Sequence, residues 1–187
     1  MFKILCTGNP EHIGIAMEIK KLFPDTTFVS RTNGYDLKTD EGLDKLRSIV
    51  KNYNVFINNA HVSRGSQLKI LKLVSEEWDV GHIFNIGSIN EYKKWLPADL
   101  DIYEEVNEFK ELGLTLTDEH FKVTHVTVGG FKSSSKPRGL ETMMDPKHIA
   151  VAIKWVMEAE FQVPVIGVEQ MSDHIRDYFE SQKNGLI

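Results

Sequence analysis

The 187-residue sequence predicts a doubly wound α/β fold, in which a mostly parallel sheet carries helices on both faces. Two observations lead to this fold. Short apolar segments alternate along the chain with longer amphipathic segments, which is typical of strands joined by helices. Segments 54–60 (NVFINNA) and 81–89 (GHIFNIGSI) are also apolar at consecutive positions, as strands buried on both faces require.

The first half of the chain supplies three predicted strands and three predicted helices. The strands are 2–8, 26–32 and 54–60, and the helices are 14–23, 42–53 and 66–78. Helical spacing places four apolar residues on an inward face of the first helix: Ile15, Ile19, Leu22 and Phe23. It does the same for the second helix: Leu43, Leu46, Ile49 and Val50.

The second half continues the alternation. Segments 81–89, 122–130 and 163–169 are predicted strands, and segments 102–113, 145–160 and 173–182 are predicted helices. Gly113 is expected to end the helix 102–113. Asp145 is expected to cap the next helix, with Pro146 at its first helical position. We therefore expect a single domain over residues 1–187.

Composition restricts the classes of function. A net charge of −5 argues against a general binder of nucleic acid or of anionic membranes. The sequence shows no signal peptide and no segment long enough to span a membrane. Cys6 is the only cysteine and lies in a predicted buried strand, which fits a reducing compartment and a cytoplasmic location. Five histidines are scattered without metal-ligand spacing, so no metal site is expected: His82, His120, His125, His148 and His174.

Ligands of doubly wound sheets bind at the carboxyl ends of the strands, so the residues that follow each strand are the candidates for function. Gly8 and Gly14 follow the first strand and open a helix, whose N-terminal amides suit a pyrophosphate. Arg31 ends the second predicted strand, where an arginine favours a ribose 2′-phosphate, although an ordinary solvated arginine fits equally well. Asn58 and Asn59 end the third strand and can bond to neighbouring backbone.

Five short motifs follow one another in a familiar order. Residues 7–14 (TGNPEHIG) are similar to TGxxxGIG, and residues 58–61 (NNAH) are similar to NNAG. Asp36 lies where an aspartate caps adenine, Ser88 where a catalytic serine follows the central strand, and residues 128–133 (VGGFKS) are similar to PGxxxT. Over roughly residues 2–170 the chain therefore resembles the short-chain dehydrogenase/reductase family.

The resemblance implies a Rossmann-type fold, a nicotinamide dinucleotide and a small-molecule carbonyl or alcohol substrate. It implies the following cofactor-binding residues: Gly8, Asn9, His12, Ile13, Gly14, Arg31, Asp36, Asn59, Ala60, Gly129 and Ser133. Arg31 favours NADP over NAD. The family also implies a homodimer through helices 66–78 and 102–113. Four residues could form its apolar seam, although core packing explains them equally well: Leu68, Leu71, Val106 and Phe109.

The sequence departs from the family pattern at three glycine or proline positions. His12 replaces the middle glycine of TGxxxGIG, His61 the glycine of NNAG, and Val128 the proline of PGxxxT. The side chain of His12 either points to solvent, binds a phosphate or narrows the cleft. Only residues 62–80 lie between NNAH and the strand that bears Ser88, which leaves room for one helix.

The catalytic pair YxxxK is incomplete. Tyr103 is the best candidate for the tyrosine, but the residue four positions on is Asn107, which carries no charge that could lower the pKa of a phenol. Lys110 lies two turns from Tyr103, and Tyr92 is the rival tyrosine. The sequence predicts Ser88, Tyr103 and Asn107 as the catalytic residues.

Three hypotheses of function follow. The first is an NAD(P)-dependent oxidoreductase that uses these three residues on a carbonyl or an alcohol. The second is a catalytically impaired dinucleotide-binding protein that acts as a sensor or interaction module, because the lysine is replaced. The third is a scaffold whose cleft is closed by His12 and His61.

Overall fold

The architecture is that of a computed structural model, which describes residues 2–63, 65–88, 100–117, 121–134 and 143–170, with the backbone alone at residues 100–107. Within these residues, six strands form one sheet in the order β2-β1-β3-β4-β5-β6. The strands are β1 (Ile4–Thr7), β2 (Thr27–Val29), β3 (Val55–Asn58), β4 (Gly81–Ile86), β5 (Phe121–Val128) and β6 (Val165–Val168). Every pair of neighbouring strands is parallel, which confirms the predicted fold class.

Helices cover both faces of the sheet, as predicted. The helices are α1 (Ile15–Leu22), α2 (Asp40–Val50), α3 (Ser66–Glu77), α4 (Leu100–Thr115) and α5 (Lys147–Glu158). Helices α1 and α5 share one core cluster with the inward residues of β5 such as Val126. The other three helices border a second cluster, on the opposite face, around Phe56 and Ile83.

The placement of α5 determines the path of the chain after β5. Helices α3 and α4 lie on one face, but α5 packs beside α1 on the other. The segment that leaves β5 must therefore pass over the carboxyl edge of the sheet toward α1. Phe131 near the start of this segment and Met144 near its end form an isolated β-bridge.

Local predictions about these elements are confirmed, one of them only in part. The helix α5 begins at Lys147 with Pro146 as its N-cap, one residue later than predicted, although Asp145 Oδ1 does accept a hydrogen bond from the Lys147 amide at 2.9 Å. Cys6 is fully buried, and this burial raises the pKa of its thiol. Trp78 is a packing residue whose Nε1 donates to the Val50 carbonyl.

Other local predictions are wrong. The second strand ends at Val29, so Arg31 begins a 3-10 turn (Arg31–Asn33) and does not end a strand. Leu22 is 37% exposed at the end of α1. Gly113 does not end α4, which continues to Thr115. A Cβ at Gly113 would lie 2.9 Å from Asn85 Nδ2, so the glycine permits close packing of α4 on the sheet.

The predicted dimer seam is largely used inside the monomer. Leu71 and Phe109 are buried in the core cluster around Phe56, and Leu68 is partly buried against it. The structure therefore favours core packing for these residues. The side chain of Val106 and the predicted terminal helix 173–182 lie outside the described residues.

A half-buried histidine joins three segments at the amino edge of the sheet. His82 Nε2 lies 2.8 Å from Thr124 Oγ1, which itself donates to the Val163 carbonyl at 2.7 Å. Thr124 Oγ1 is thus the acceptor of the bond that His82 Nε2 donates. Desolvation, and secondarily the charge of Lys122, lower the pKa of His82 to about 4.

This shifted pKa predicts a loss of stability in mild acid. Between the ordinary histidine pKa of 6.5 and about 4, the unfolded chain binds a proton that the folded chain does not. The free energy of unfolding should therefore fall by up to about 3 kcal/mol as the pH drops through this window. Urea denaturation at several pH values measures the fall. His82→Gln, which keeps a donor for Thr124, should flatten it, and an unchanged slope would contradict the assignment.

Candidate functional site

The ends of β1 and β3 are joined by the side chain of one threonine. Thr7 Oγ1 accepts hydrogen bonds from the backbone amides of Asn59 and Ala60, both at 2.8 Å. Asn59 Nδ2 in turn donates to the Thr7 carbonyl at 3.0 Å. Thr7 is fully buried. These bonds, called here the Thr7–Asn59 junction, hold the carboxyl ends of two central strands together.

Gly8 is required by this junction. Its amide donates to the Val29 carbonyl at 2.9 Å, and its φ is +130°, a value that residues with a side chain rarely adopt. A Cβ at this position would also lie 2.8 Å from Asn59 Nδ2. The predicted tight turn after β1 is thus confirmed, and its physical reason is contact with β3.

The loop from Gly8 leads to the N-terminus of α1 through Gly14, whose φ is +155°. Asn9 Oδ1 accepts the Glu11 amide at 2.9 Å and so turns the loop. Among the described residues, no atom lies within 4 Å of a Cβ built on Gly14. Space is therefore open beside Gly14, where α1 begins, and the N-terminus of a helix is a position at which proteins bind phosphate groups.

His12 and His61 are both exposed at the surface of the molecule. The exposure of His12 agrees with the alternative in which its side chain points to solvent. Neither residue is packed into the cleft, so the third hypothesis, a cleft closed by these histidines, receives no support. Next to His12, the hydrogen-bonded ammonium of Lys20 lowers the pKa of the exposed Glu11 carboxyl.

Arg31 and Asp36 lie beyond the carboxyl end of β2, the strand that bonds to the glycine loop (residues 8–14). Arg31 is exposed in its 3-10 turn, two residues after the strand that bonds to Gly8. Asp36 is half-buried, and its carboxylate accepts the Lys38 amide at 3.2 Å. Its carbonyl accepts from Thr39, the N-cap of α2. The structure therefore places Arg31 just after the strand that bonds to Gly8, and Asp36 at the start of α2.

A row of buried polar side chains crosses three strands just below their carboxyl ends. Asn58, Asn85 and His125 are paired across β3, β4 and β5, and all three are fully buried. Gln67 of α3 closes one end of the row, because its amide donates to the carbonyls of Asn58 and Ile86. No sequence signal marked Gln67, whose contacts are made across the fold.

Ser88 follows this row at the end of β4, as predicted. The residue before it, Gly87, bonds to the Val126 carbonyl and lies against the ring of His125. A Cβ on Gly87 would come within 2.2 Å of His125 Nε2. A buried imidazole that also contacts Phe109 of α4 thus lies beside the strand end that carries Ser88. The sequence treated His125 as structural, and its position agrees with that interpretation.

The segment after β5 reaches the glycine loop. Gly129 bonds to β6 through the Val168 carbonyl at 2.9 Å. Ser133 is half-buried, and the next residue, Ser134, contacts Ile13, which directly precedes the N-cap of α1. The Ile13 amide donates to Ser134 Oγ at 2.9 Å, and the Ser134 amide donates to the Ile13 carbonyl at 3.0 Å. The sequence singled out Ser133 within a run of three serines and missed Ser134.

The catalytic pair is only partly described. Tyr103 and Asn107 both lie in helix α4, one turn apart, but their side chains lie outside the described residues. The rival Tyr92 lies wholly outside them. Lys110 is half-buried further along α4.

A cavity opens at the same edge of the sheet. Its volume is about 520 Å³, and it adjoins Gly129 through Glu169. The described lining residues are Met143, Met144, Asp145, His148, Val168, Glu169 and Gln170. The described part of the chain contains no cluster of residues that could hold a metal ion. It also contains no helix long and apolar enough to cross a membrane.

Solved structures with the same fold were found by structural comparison. A short-chain dehydrogenase/reductase from Brucella melitensis, described as a glucose/ribitol dehydrogenase, aligns over 91% of this chain and 97% of its own, with a TM-score of 0.73 and 13% identity. A short-chain dehydrogenase from Burkholderia cenocepacia in complex with NADP aligns over 99% and 95%, with a TM-score of 0.68 and 13% identity. The 3-alpha-hydroxysteroid dehydrogenase of a Pseudomonas species, complexed with NADH, aligns over 94% and 99%, with a TM-score of 0.67 and 14% identity. No family model and no curated protein matches the sequence.

The parallel sheet, its two helical layers and the glycine loop define a Rossmann-type α/β protein. Within that class, this chain has the fold of the short-chain dehydrogenase/reductase structures. The family resemblance that the motifs predicted is confirmed at the level of the fold.

The Thr7–Asn59 junction predicts a specific loss of stability. Thr7→Val keeps the shape of the side chain but removes the oxygen shared by two backbone amides. We expect the free energy of unfolding to fall by about 2 kcal/mol, because buried donors lose their acceptor. Urea denaturation measures the change. Thr7→Ser keeps the oxygen and should retain most of the stability, and equal losses in both variants would contradict the role of the hydroxyl.

Proposed function

We propose that this protein is an NAD(P)-dependent oxidoreductase that acts on a carbonyl or alcohol group of a small molecule. The observation that carries the proposal is the start of α1. The Thr7–Asn59 junction and Gly8 turn the chain after β1 into the loop that leads to α1, and the space beside Gly14 at the start of this helix is open. Dinucleotides bind at this position in doubly wound sheets.

Residues around this position would hold the parts of the dinucleotide. The pyrophosphate would lie at the glycine loop, formed by residues 8–14. Arg31 would meet the ribose 2′-phosphate of NADP, because it is exposed two residues after Val29, whose carbonyl accepts the Gly8 amide. Asp36 would meet the adenine, and Asn59 and Ala60 would border the adjoining ribose. Gly129 and Ser133 would lie toward the nicotinamide.

The structures of similar fold support the cofactor class. One of them is a complex with NADP and another a complex with NADH, so the fold itself accommodates both dinucleotides. Arg31 is the residue of this chain that favours NADP, since its guanidinium can pair with a phosphate in two hydrogen bonds.

The catalytic roles follow from the positions after β4 and on α4. When bound, the nicotinamide supplies or accepts the hydride. Ser88 would hydrogen-bond the carbonyl oxygen of the substrate, and the phenol of Tyr103 would donate the proton that this oxygen gains on reduction. Asn107, one turn from Tyr103 on α4, would hold a cofactor ribose in place of a lysine.

The substrate would occupy the cavity beside Gly129. A volume of about 520 Å³ is within the usual range for small-molecule sites. Asp145, His148 and Glu169 give this cavity polar groups that can orient a substrate by hydrogen bonds.

The second candidate function is a dinucleotide-binding protein without turnover. One observation favours it. The position that carries lysine in the family motif is Asn107 in this chain, so the residue one helical turn after Tyr103 has no positive charge. Binding and turnover are therefore tested by separate experiments.

The first experiment measures binding of NADPH and NADH to the purified protein by calorimetry. We expect NADPH to bind at micromolar concentration and NADH more weakly. Arg31→Ala should weaken NADPH about tenfold or more and leave NADH unchanged, because only NADPH has the 2′-phosphate. Arg47→Ala is the matched control, since Arg47 pairs with Glu76 and Glu77 away from the strand ends. No binding of either dinucleotide would overturn the proposal.

The second experiment measures NADPH oxidation with a panel of carbonyl compounds. Tyr103→Phe should lower the turnover about a hundredfold or more, because it removes the proton donor, and should leave NADPH affinity unchanged. Asn107→Lys should raise the turnover, because a lysine both holds the ribose and favours ionisation of the phenol. If Tyr103→Phe retained full activity, the catalytic assignment would be wrong. Activity that appeared only in Asn107→Lys would favour the second candidate function.

A further inference from the structure

Ser134 and Ile13 form a reciprocal pair of hydrogen bonds between two segments that lie far apart in the sequence. The Ile13 amide donates to Ser134 Oγ at 2.9 Å, and the Ser134 amide donates to the Ile13 carbonyl at 3.0 Å. Ile13 directly precedes Gly14, the N-cap of α1. One of the amides at the start of α1 is thus already bonded to a side chain of the protein.

The segment that carries Ser134 is firmly attached at its base. Phe131 bridges Met144, the Lys132 amide donates to the Met144 carbonyl at 2.9 Å, and the Met144 amide donates to the Gly130 carbonyl at 3.1 Å. Met144 is only 5% exposed and belongs to the core. Ser134 is exposed, and so is its partner Ile13, at 48%. The bonds between Ser134 and Ile13 are therefore accessible to solvent, whereas Met144 at the base of the segment is not.

An amide has one hydrogen to donate, so Ser134 and a bound phosphate cannot both use the Ile13 amide. A phosphate oxygen accepts a stronger hydrogen bond than a neutral hydroxyl does. We propose that Ser134 is an affinity-determining residue of this site: its hydroxyl occupies the Ile13 amide in the free protein, and a pyrophosphate that binds this amide displaces it. This inference rests on the proposed function, because it concerns the same glycine loop.

Displacement leaves the rest of the segment in place. The bond of the Ser134 amide to the Ile13 carbonyl does not involve the hydroxyl, and neither does the bond of the Lys132 amide to Met144. The Phe131–Met144 pairing is likewise independent of it. The competition is therefore confined to one donor, the Ile13 amide, and to one acceptor, the Ser134 hydroxyl.

The test compares the affinities of wild type and Ser134→Ala for NADPH and, separately, for inorganic pyrophosphate. The alanine variant lacks the competing hydroxyl, so it should bind each ligand about fivefold more tightly. Ser134→Thr keeps the hydroxyl and should retain the wild-type affinities. Ser75→Ala is the matched control, because half-buried Ser75 donates from Oγ to the Lys72 carbonyl within α3, one helical turn away. Hydrogen exchange of the Ile13 amide, measured without ligand, should be faster in Ser134→Ala.

The outcomes separate this inference from the proposed function. Equal affinities of wild type and Ser134→Ala, or a weaker alanine variant, would overturn the role of Ser134 and leave the proposed function standing. Tighter binding of pyrophosphate alone, with no binding of NADPH to any variant, would support the role of Ser134 and overturn the oxidoreductase. Absence of binding of both ligands to all variants would overturn both.

Discussion

The hydroxyl of Thr7 is the contact on which the candidate site depends. Its oxygen accepts hydrogen bonds from the two backbone amides that follow β3 and so holds the carboxyl ends of β1 and β3 side by side. Asn59 completes the junction from the other side, and the space it occupies leaves only a glycine possible at Gly8. The direction in which the chain leaves β1, and with it the position of the first amides of α1, follows from these bonds.

Buried polar groups organise the neighbouring strand ends in a similar way. The ring of His125 fills the space that Gly87 leaves beside Ser88, and the amide of Asn85 fills the space that Gly113 leaves under α4. Each small residue is thus matched by a larger polar one on the adjacent element. The match at Gly113 sets how closely α4, the helix that carries Tyr103 and Asn107, approaches the sheet.

Topology brings the last part of the site into place. Since α5 packs beside α1, the segment after β5 crosses the carboxyl edge and reaches the glycine loop, where Ser134 meets Ile13. The same crossing brings Met144 against Phe131 and leaves a cavity beside Gly129. One connection therefore contacts both the glycine loop and the cavity beside Gly129.

Features that depend on residues close together in the chain could be predicted from the sequence. The order of strands and helices and the glycine turn after β1 are of this kind, because their physical causes are local. The roles of Gln67, His125 and Ser134 became visible only in the folded protein, since their partners lie on other elements; the bond between Ile13 and Ser134 spans 121 positions. Contacts of that kind leave no periodic or spacing signal in a single sequence, so packing alone selects which of several serines or histidines faces the site.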